Sequence, residues 1–187
     1  QPYTQRVTKT SKGLVISLAR NGRIRQDDTL VPLYVEKKIK IHSGAHTLPI
    51  AYTLINTGEK VIAARFGVEF CFALLAGHSH DAYYRFCPAL KRGASTLDDA
   101  HLDSRGQVYA VKNLALVNEW LGIEIALALK TPACVWRAPI ETISLSEAGF
   151  ERVYQASCVL PLWDVQLPPG EQWRVELEFY LNLLVQE

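Results

Sequence analysis

The chain has 187 residues, 49% of them hydrophobic, and its 20 Lys and Arg residues nearly balance its 19 Asp and Glu residues. This length predicts one domain with a sizeable core. The near-zero net charge argues against binding nucleic acid or a membrane surface through bulk electrostatics. No apolar run reaches the roughly 18 residues that a membrane-spanning helix needs, and the first residues do not form a signal peptide. Because the chain begins with Gln and contains no Met, we expect a fragment or a processed product.

The first half of the chain predicts strands separated by turns. Residues 1–12 are polar, and we expect them to be a frayed linker remnant. Asn21-Gly22 is a strong signal for a hairpin turn, and Gly67 indicates a bulge or bend within a long strand. The predicted strands are Leu14–Ala19, Arg23–Arg25, Val35–Ile41, Pro49–Asn56 and Val61–Leu75.

Residues 76–106 interrupt this rhythm with a polar, glycine-punctuated stretch. A loop of such length is uncommon in a compact domain and is often functional when it occurs. We expect the segment to lie on the surface and to be more mobile than the strands. A helix over residues 94–102 is an alternative for part of it.

The second half returns to strands, and Leu167–Gly170 predicts a clear turn before the last of them. Ala148-Gly149 predicts a tight turn within a hairpin, although a helix is a competing interpretation for the residues around it. The predicted strands are Gln107–Val117, Gly122–Leu129, Cys134–Ser146, Phe150–Leu160 and Trp173–Leu184. Roughly ten strands with regular turn signals predict an all-β protein, a large antiparallel β-sandwich that occupies residues 13–187 as a single domain.

The predicted hairpin from Trp136 to Trp163 concentrates polar and aromatic side chains, and we expect it to contact a partner. Carboxylates and an amide supply hydrogen-bond acceptors, a tyrosine supplies a donor, and a tryptophan stands at either end. A solvated strand face is the alternative. The candidate binding or docking residues are Trp136, Glu141, Glu147, Glu151, Tyr154, Gln155 and Trp163.

A second candidate lies in the polar segment, where His78, His80 and Asp81 carry side chains that can ligate a metal. The spacing is a weak signal, and we predict no metal. Tyr83 and Tyr84, beside Asp81, suit contact with a sugar or a protein, because their rings stack while their hydroxyls hydrogen-bond. The alternative is a tyrosine pair with one ring in the core and one outside.

Catalytic signals are weaker. Two carboxylates that face one cleft could act on a glycosidic bond, but the sequence brings no two of them together, and arginines could neutralise them instead. No GxSxG, P-loop or HExxH motif occurs. The carboxylates in or near predicted strands are Glu69, Glu119, Glu124 and Glu141.

The four cysteines, Cys71, Cys87, Cys134 and Cys158, are far apart and form no CxxC pair. This spacing does not predict a zinc site, and we expect buried, reduced thiols in a cytoplasmic protein. Disulfide pairing remains an alternative.

Four stretches in the same order resemble a known family. They are EFCFALLAGHSHDAYY (Glu69–Tyr84), NEWLGIEIAL (Asn118–Leu127), WRAPIETISLSEAGFERVYQAS (Trp136–Ser157) and LPPGEQWRVEL (Leu167–Leu177). They are similar to the C-terminal β-domain of glycoside hydrolase family 57 enzymes, the α-amylase and 4-α-glucanotransferase group. The resemblance covers roughly residues 33–184. The chain departs from the family pattern at Cys71, Ala82 and Asn118, where the family usually has Asn, Arg and Asp.

The resemblance implies a sandwich of the galactose-mutarotase-like type and a catalytic (β/α) barrel in the part of the parent protein that precedes it. The chain is then expected to be a non-catalytic accessory domain, without cofactor, that packs on that barrel and contacts α-glucan. A free-standing sugar epimerase or mutarotase is the alternative, and it would need a His base and a Glu across a cleft. A purely structural interaction domain is a third possibility.

Overall fold

A computed structural model of the chain describes residues 2–87, 99–146 and 149–184. Every secondary-structure element of these residues is a β-strand, and the strands pair antiparallel. This confirms the all-β prediction. Within the described residues there is no helix long and apolar enough to cross a membrane.

The described residues form eleven strands. The first six are β1 (Thr4–Thr10), β2 (Gly13–Gln26), β3 (Thr29–His42), β4 (Thr47–Asn56), β5 (Ile62–Gly67) and β6 (Phe70–Phe72). The others are β7 (Ala82–Cys87), β8 (Gly106–Asn118), β9 (Ile123–Ser146), β10 (Gly149–Leu167) and β11 (Gln172–Leu183).

By its internal packing the chain divides into two compact units. The first unit consists of the chain up to Phe66 together with Leu129–Thr131 and Trp163–Tyr180. It contains the meander β1-β2-β3-β4, with β11 beside β4, and β5 pairs with the end of β10. Its core clusters apolar side chains from four of these strands, namely Val31, Leu54, Ile62, Val165 and Leu167. The rings of Phe66 and Trp173 lie 5.4 Å apart against this cluster.

The second unit consists of Gly67–Ala128, Pro132–Leu162 and the described residues from Leu181 onward. Its strands follow the order β6-β10-β9-β8-β7. The side chains that are almost completely buried here include Tyr84, Leu114, Leu116, Leu127, Val135 and Val159. β9 and β10 contribute residues to both units. The division therefore does not test the prediction of one domain over residues 13–187.

Residues 4–10 are not a frayed linker, and that prediction is wrong. They form β1, which pairs with β2 from Thr4 opposite Ala19 to Thr10 opposite Gly13. All seven side chains of β1 are exposed. The polar sequence is therefore that of a solvated strand and not that of an unpaired tail, because backbone pairing with β2 needs no buried side chain.

The predicted turn at Asn21-Gly22 is also wrong. Both residues lie within β2, which pairs with β3 along its whole length. The turn falls instead at Asp27-Asp28, where Asp27 adopts a φ of 52°. Aspartate tolerates this left-handed conformation better than most residues, and the long pairing of β2 with β3 outweighs the local preference of Asn21-Gly22.

Two further boundaries differ from the predictions. The strands predicted on either side of Pro132 are one continuous strand, β9. Its pairing with β8 is irregular at this point, because Val111 faces Ala133 but Asn113 faces Ala128. A proline is tolerated where the ladder is interrupted. The predicted long strand Val61–Leu75 is divided, because β5 ends at Gly67 and β6 begins at Phe70. A Cβ at Gly67 would lie 2.7 Å from a methyl carbon of Leu162.

The polar segment 76–106 is not one long surface loop, and that expectation is wrong for part of it. Residues 82–87 form β7, which pairs with β8 and buries Ala82, Tyr84 and Phe86. The buried side chains alternate with more exposed ones, as in a half-buried strand. Most of the alternative helix at 94–102 lies outside the described residues.

Candidate functional site

The predicted hairpin is present as the antiparallel pair β9–β10. The pairing extends from Ser146 opposite Gly149 to Cys134 opposite Leu162, with a bulge between Tyr154 and Ala156. The residues of the predicted turn before Gly149 lie outside the described part of the chain, and so does Glu147. Directly opposite residues point to the same face of such a pair, so the register decides which candidate side chains meet.

One face of the hairpin end is apolar and uncovered. Ile143, Leu145 and Phe150 are 71%, 75% and 82% exposed. Leu145 lies directly opposite Phe150, and Ile143 lies directly opposite Arg152. These three side chains are highly exposed and lie on neighbouring positions of one face. They therefore form an apolar patch and are not isolated surface residues. We call Ile143, Leu145 and Phe150 the hairpin patch.

Polar groups border the hairpin patch. The carboxylate of Glu141 accepts a hydrogen bond from Arg105 at 2.5 Å and lies 3.8 Å from the guanidinium of Arg152. Glu151 is exposed but lies opposite Ser144, so its side chain leaves the other face of the hairpin. Gln155, the extra residue of the bulge, donates a hydrogen bond to the Thr142 hydroxyl at 3.1 Å. The Glu141 carboxylate, as an acceptor, and the Gln155 amide, as a donor, are thus partly engaged within the chain.

Tyr154 is tied into the interior and does not present a free hydroxyl. Its oxygen lies 2.7 Å from the Ser157 hydroxyl, which in turn donates to the Leu102 carbonyl at 2.8 Å. A Cβ at Gly77 would lie 2.6 Å from the Tyr154 ring, so only glycine fits beside it. Burial raises the pKa of Tyr154 above its ordinary value, against a smaller opposing effect of the bond to Ser157.

The two tryptophans that bracket the hairpin differ in their surroundings. Trp136 is 43% exposed and lines a groove of about 440 Å³ together with Gln107 and Leu160, which face it on the neighbouring strands. Trp163 is only 5% exposed, and its indole donates to the Thr131 carbonyl at 3.1 Å. The prediction that Trp163 belongs to a contact surface is wrong, because its ring packs in a core beside Phe66.

The second group of candidates is also divided by burial. Tyr84 is fully buried, and burial raises the pKa of Tyr84 to about 12, so the prediction that it contacts a partner is wrong. Tyr83 is partly exposed and donates to Glu119 at 3.0 Å. The alternative of one ring inside and one outside is confirmed. Asp81 accepts a hydrogen bond from the Ser79 hydroxyl.

Two histidines of the polar segment each face an aspartate of the same segment. His78 lies 3.0 Å from Asp103, and His101 lies 2.8 Å from Asp99. The two imidazole rings stack with 4.2 Å between their centroids. Hydrogen bonds from the backbone and ring of His101 lower the pKa of Asp99. The ring of His78 is thus paired with Asp103 and not with Asp81 of the predicted motif.

The four carboxylates that the sequence singled out have separate partners. Glu119 accepts from Tyr83, and Glu141 accepts from Arg105. Glu124 is buried, pairs with Arg85 and accepts a hydrogen bond from Asn182 at 3.0 Å. Each of these three carboxylates is thus held by another side chain of this chain. The fourth, Glu69, lies beside the thiol of Cys71.

That thiol belongs to a cluster that the sequence reasoning missed. Cys71 of β6 lies directly opposite Cys158 of β10, and the Cys71 thiol donates to Glu69 at 3.7 Å. Burial, followed by the charge of Glu69, raises the pKa of Cys158 to about 11, and the same two causes raise the pKa of Cys71. Cys71 is exposed, contrary to the expectation of buried thiols. Only the strand register brings the two cysteines together, and their spacing in the sequence gives no sign of it.

Comparison with known proteins agrees with this architecture. A solved 4-α-glucanotransferase from Thermococcus litoralis matches 96% of this chain with a TM-score of 0.65 and 23% sequence identity. A putative aldose 1-epimerase from Escherichia coli matches 97% of the chain with a TM-score of 0.68 and 13% identity. A galactose mutarotase-like protein from Clostridium acetobutylicum matches with a TM-score of 0.61. These likenesses confirm the predicted galactose-mutarotase-like sandwich.

Sequence comparison identifies the relatives more narrowly. Alpha-amylase 1 of Dictyoglomus thermophilum is 33% identical over an alignment of 153 residues that covers 78% of this chain. The chain spans only 20% of that relative and 22% of the Thermococcus litoralis enzyme. The family described as "Alpha-amylase/4-alpha-glucanotransferase, C-terminal" matches residues 1–177. The chain therefore belongs to the family of C-terminal domains of α-amylases and 4-α-glucanotransferases.

Proposed function

We propose that this chain is a non-catalytic accessory domain of an α-glucan-acting enzyme and that it docks on the catalytic barrel of its parent protein through the hairpin patch. The observation that carries the proposal is the exposure of Ile143, Leu145 and Phe150 on one face of the β9–β10 hairpin. Burial of such a side chain contributes about 1.5–3 kcal/mol, so three together supply a substantial part of a stable contact.

The length of the relatives supports a catalytic region of the parent protein as the partner of this surface. About four fifths of the amylase from Dictyoglomus thermophilum lies outside the region that this chain matches, which leaves room for a catalytic region of the length that a (β/α) barrel requires. The border of the patch fits a protein partner as well. Arg152 and the partly engaged Glu141 provide the polar rim that surrounds the apolar centre of protein interfaces.

The separate partners of the carboxylates support the absence of turnover in this chain. Hydrolysis of a glycosidic bond needs two carboxyl groups about 5–10 Å apart across one cleft, whereas Glu119, Glu124 and Glu141 each have a structural partner of their own. We expect the purified chain to release no sugar from amylose or maltooligosaccharides. Release that a Glu→Gln substitution in this chain abolishes would contradict the proposal.

The docking test measures the affinity of this chain for the separately purified catalytic region of its parent by isothermal titration calorimetry. The double variant Leu145→Ser and Phe150→Ser should weaken binding by at least about tenfold, since each removes a buried apolar contact of more than 1.4 kcal/mol. Leu183→Ser is the matched control, because Leu183 is just as exposed but lies on β11. Equal binding by all three proteins would rule out the hairpin patch as the docking surface.

Contact with α-glucan is a second candidate function, and the groove beside Trp136 favours it. An exposed indole offers a stacking face for a sugar ring, and Gln107 offers an amide at the same groove. Titration with maltoheptaose, followed by tryptophan fluorescence, should then saturate and should lose its signal in Trp136→Ala. Trp120→Ala is the control, because Trp120 is exposed away from this groove. An unchanged titration in Trp136→Ala would exclude this groove.

A further inference from the structure

We propose that Glu69, Cys71 and Cys158 form a binding site for a divalent transition-metal ion, with zinc as the expected ion. The oxygen and sulfur atoms that these three residues offer all lie within 4.8 Å of one another. Two thiolates bound to one tetrahedral zinc ion at about 2.3 Å are about 3.8 Å apart. The cluster therefore needs only small side-chain movements to close around an ion.

The backbone sets this arrangement before any ion binds. Cys71 and Cys158 are directly opposite in the antiparallel pair of β6 and β10, so both side chains leave the same face of the sheet. Glu69 precedes β6 by one residue, and its carboxylate already contacts the Cys71 thiol at 3.7 Å. Two of the three ligands are thus held by strand pairing and the third by a hydrogen bond that a metal ion would replace.

The ligand types select the ion. Thiolates favour zinc and other soft or borderline metals over calcium and magnesium, and a carboxylate is an accepted third ligand for zinc. Cys71 and Glu69 are exposed while Cys158 is partly buried, so the ion has access from solvent and a water molecule can occupy the fourth position. On binding, each thiol gives its proton to solvent and forms a sulfur–metal bond.

The site gives a physical role to two cysteines that the proposed accessory function does not use. β6 has only three residues, and such a short strand is held by few hydrogen bonds. A metal ion that joins Cys71 to Cys158 would fasten β6 to β10 at its centre. We therefore expect hydrogen exchange at residues 70–72 to slow when zinc is present.

Cobalt provides the direct test, because cobalt–thiolate coordination has a charge-transfer absorption in the near ultraviolet. Titration of the reduced, chelator-treated protein with Co²⁺ should saturate at one ion per chain, and Zn²⁺ should displace the signal. The band should vanish in Cys71→Ala and in Cys158→Ala, and Glu69→Gln should weaken the apparent affinity by at least about tenfold. Cys134→Ala is the matched control and should bind Co²⁺ as the unmodified chain does.

A second measurement does not depend on the colour of the complex. Zn²⁺ should slow alkylation of Cys71 and Cys158 by iodoacetamide, read by mass spectrometry, and should leave Cys134 unaffected. Circular dichroism spectra of the variants identify any that fail to fold, and alkylation of the unsubstituted chain needs no variant. A cobalt band that survives in Cys71→Ala, the absence of any band, or rapid formation of a Cys71–Cys158 disulfide at the same rate with and without Zn²⁺ would overturn the proposal.

Discussion

At the level of single residues, Glu124 has the most demanding environment among the carboxylates described above. It is buried in the second unit, where it pairs with Arg85 and accepts from Asn182. A charge removed from water is tolerated only when its partner stays in place. Substitution of either residue of the pair therefore leaves the charge of the other without a partner, which destabilises the fold.

We predict that Glu124→Gln lowers the free energy of unfolding by about 3–5 kcal/mol, because it leaves the Arg85 guanidinium, whose side chain is only 16% exposed, without a counter-charge. Glu36→Gln serves as the control, since Glu36 pairs with Lys38 near the surface and its loss should cost about 0–1 kcal/mol. Urea unfolding of the three proteins gives the comparison. Equal stability of the two variants would show that Arg85 is solvated in solution.

Glu176 provides a prediction about pH. Hydrogen bonds from Arg174 and then from Lys130 lower its pKa below the ordinary value of 4.5. A lowered pKa in the folded state means that the stabilisation is present above the unfolded value and is lost as pH falls through the folded value. Glu176→Gln should therefore cost on the order of 0.5 kcal/mol at neutral pH.

The cost of Glu176→Gln should shrink as the pH falls from 4.5 through the lower pKa of the folded state, because the unsubstituted carboxyl then becomes protonated in the folded protein as well. Urea unfolding of both proteins across a pH series measures this difference directly. A difference that grows on acidification would contradict the assignment of Arg174 and Lys130 as the cause.

At the level of the elements, different residues of the β9–β10 hairpin contribute to stability and to the exposed surface. Its end carries the hairpin patch, whereas residues elsewhere on its two strands, such as Leu127 and Val159, are buried. Leu145→Ser with Phe150→Ser should change the free energy of unfolding by less than about 0.5 kcal/mol. Leu127→Ala, in the same strand as Leu145, should cost about 2–5 kcal/mol. Thermal or urea unfolding measures both variants against the unsubstituted chain. A large loss of stability in the double variant would mean that the hairpin patch is covered in the free chain.

The elements also show how far the sequence predicts the structure. Alternation of apolar and polar residues predicted most strands, because these strands have a buried face, whereas the fully exposed β1 was missed. Local turn signals failed where pairing overrode them, as at Asn21-Gly22 within the long β2. The candidate site was predictable only in part, since burial of Trp163 and the approach of Cys71 to Cys158 depend on register between distant strands.

At the level of the whole molecule, β9 and β10 contribute residues to both compact units. We expect the chain to unfold in one cooperative transition, because neither unit can lose these strands alone. Leu54→Ala in the first unit and Leu114→Ala in the second should each lower the midpoint of that single transition, at a cost of about 2–5 kcal/mol. Coincident curves from circular dichroism and tryptophan fluorescence would agree with this. Two separate transitions, each moved by only one substitution, would contradict the prediction of a single domain.

The exposed strand β1 has a consequence for handling the protein. It stands at the end of the strand order β1-β2-β3-β4, and all of its side chains are exposed. A terminal strand offers backbone groups that a second molecule can use as a template, and charged side chains oppose such self-association. Arg6 and Lys9 supply that protection here. Salt that screens these two charges should therefore favour self-association more than the nearly neutral net charge of the chain suggests.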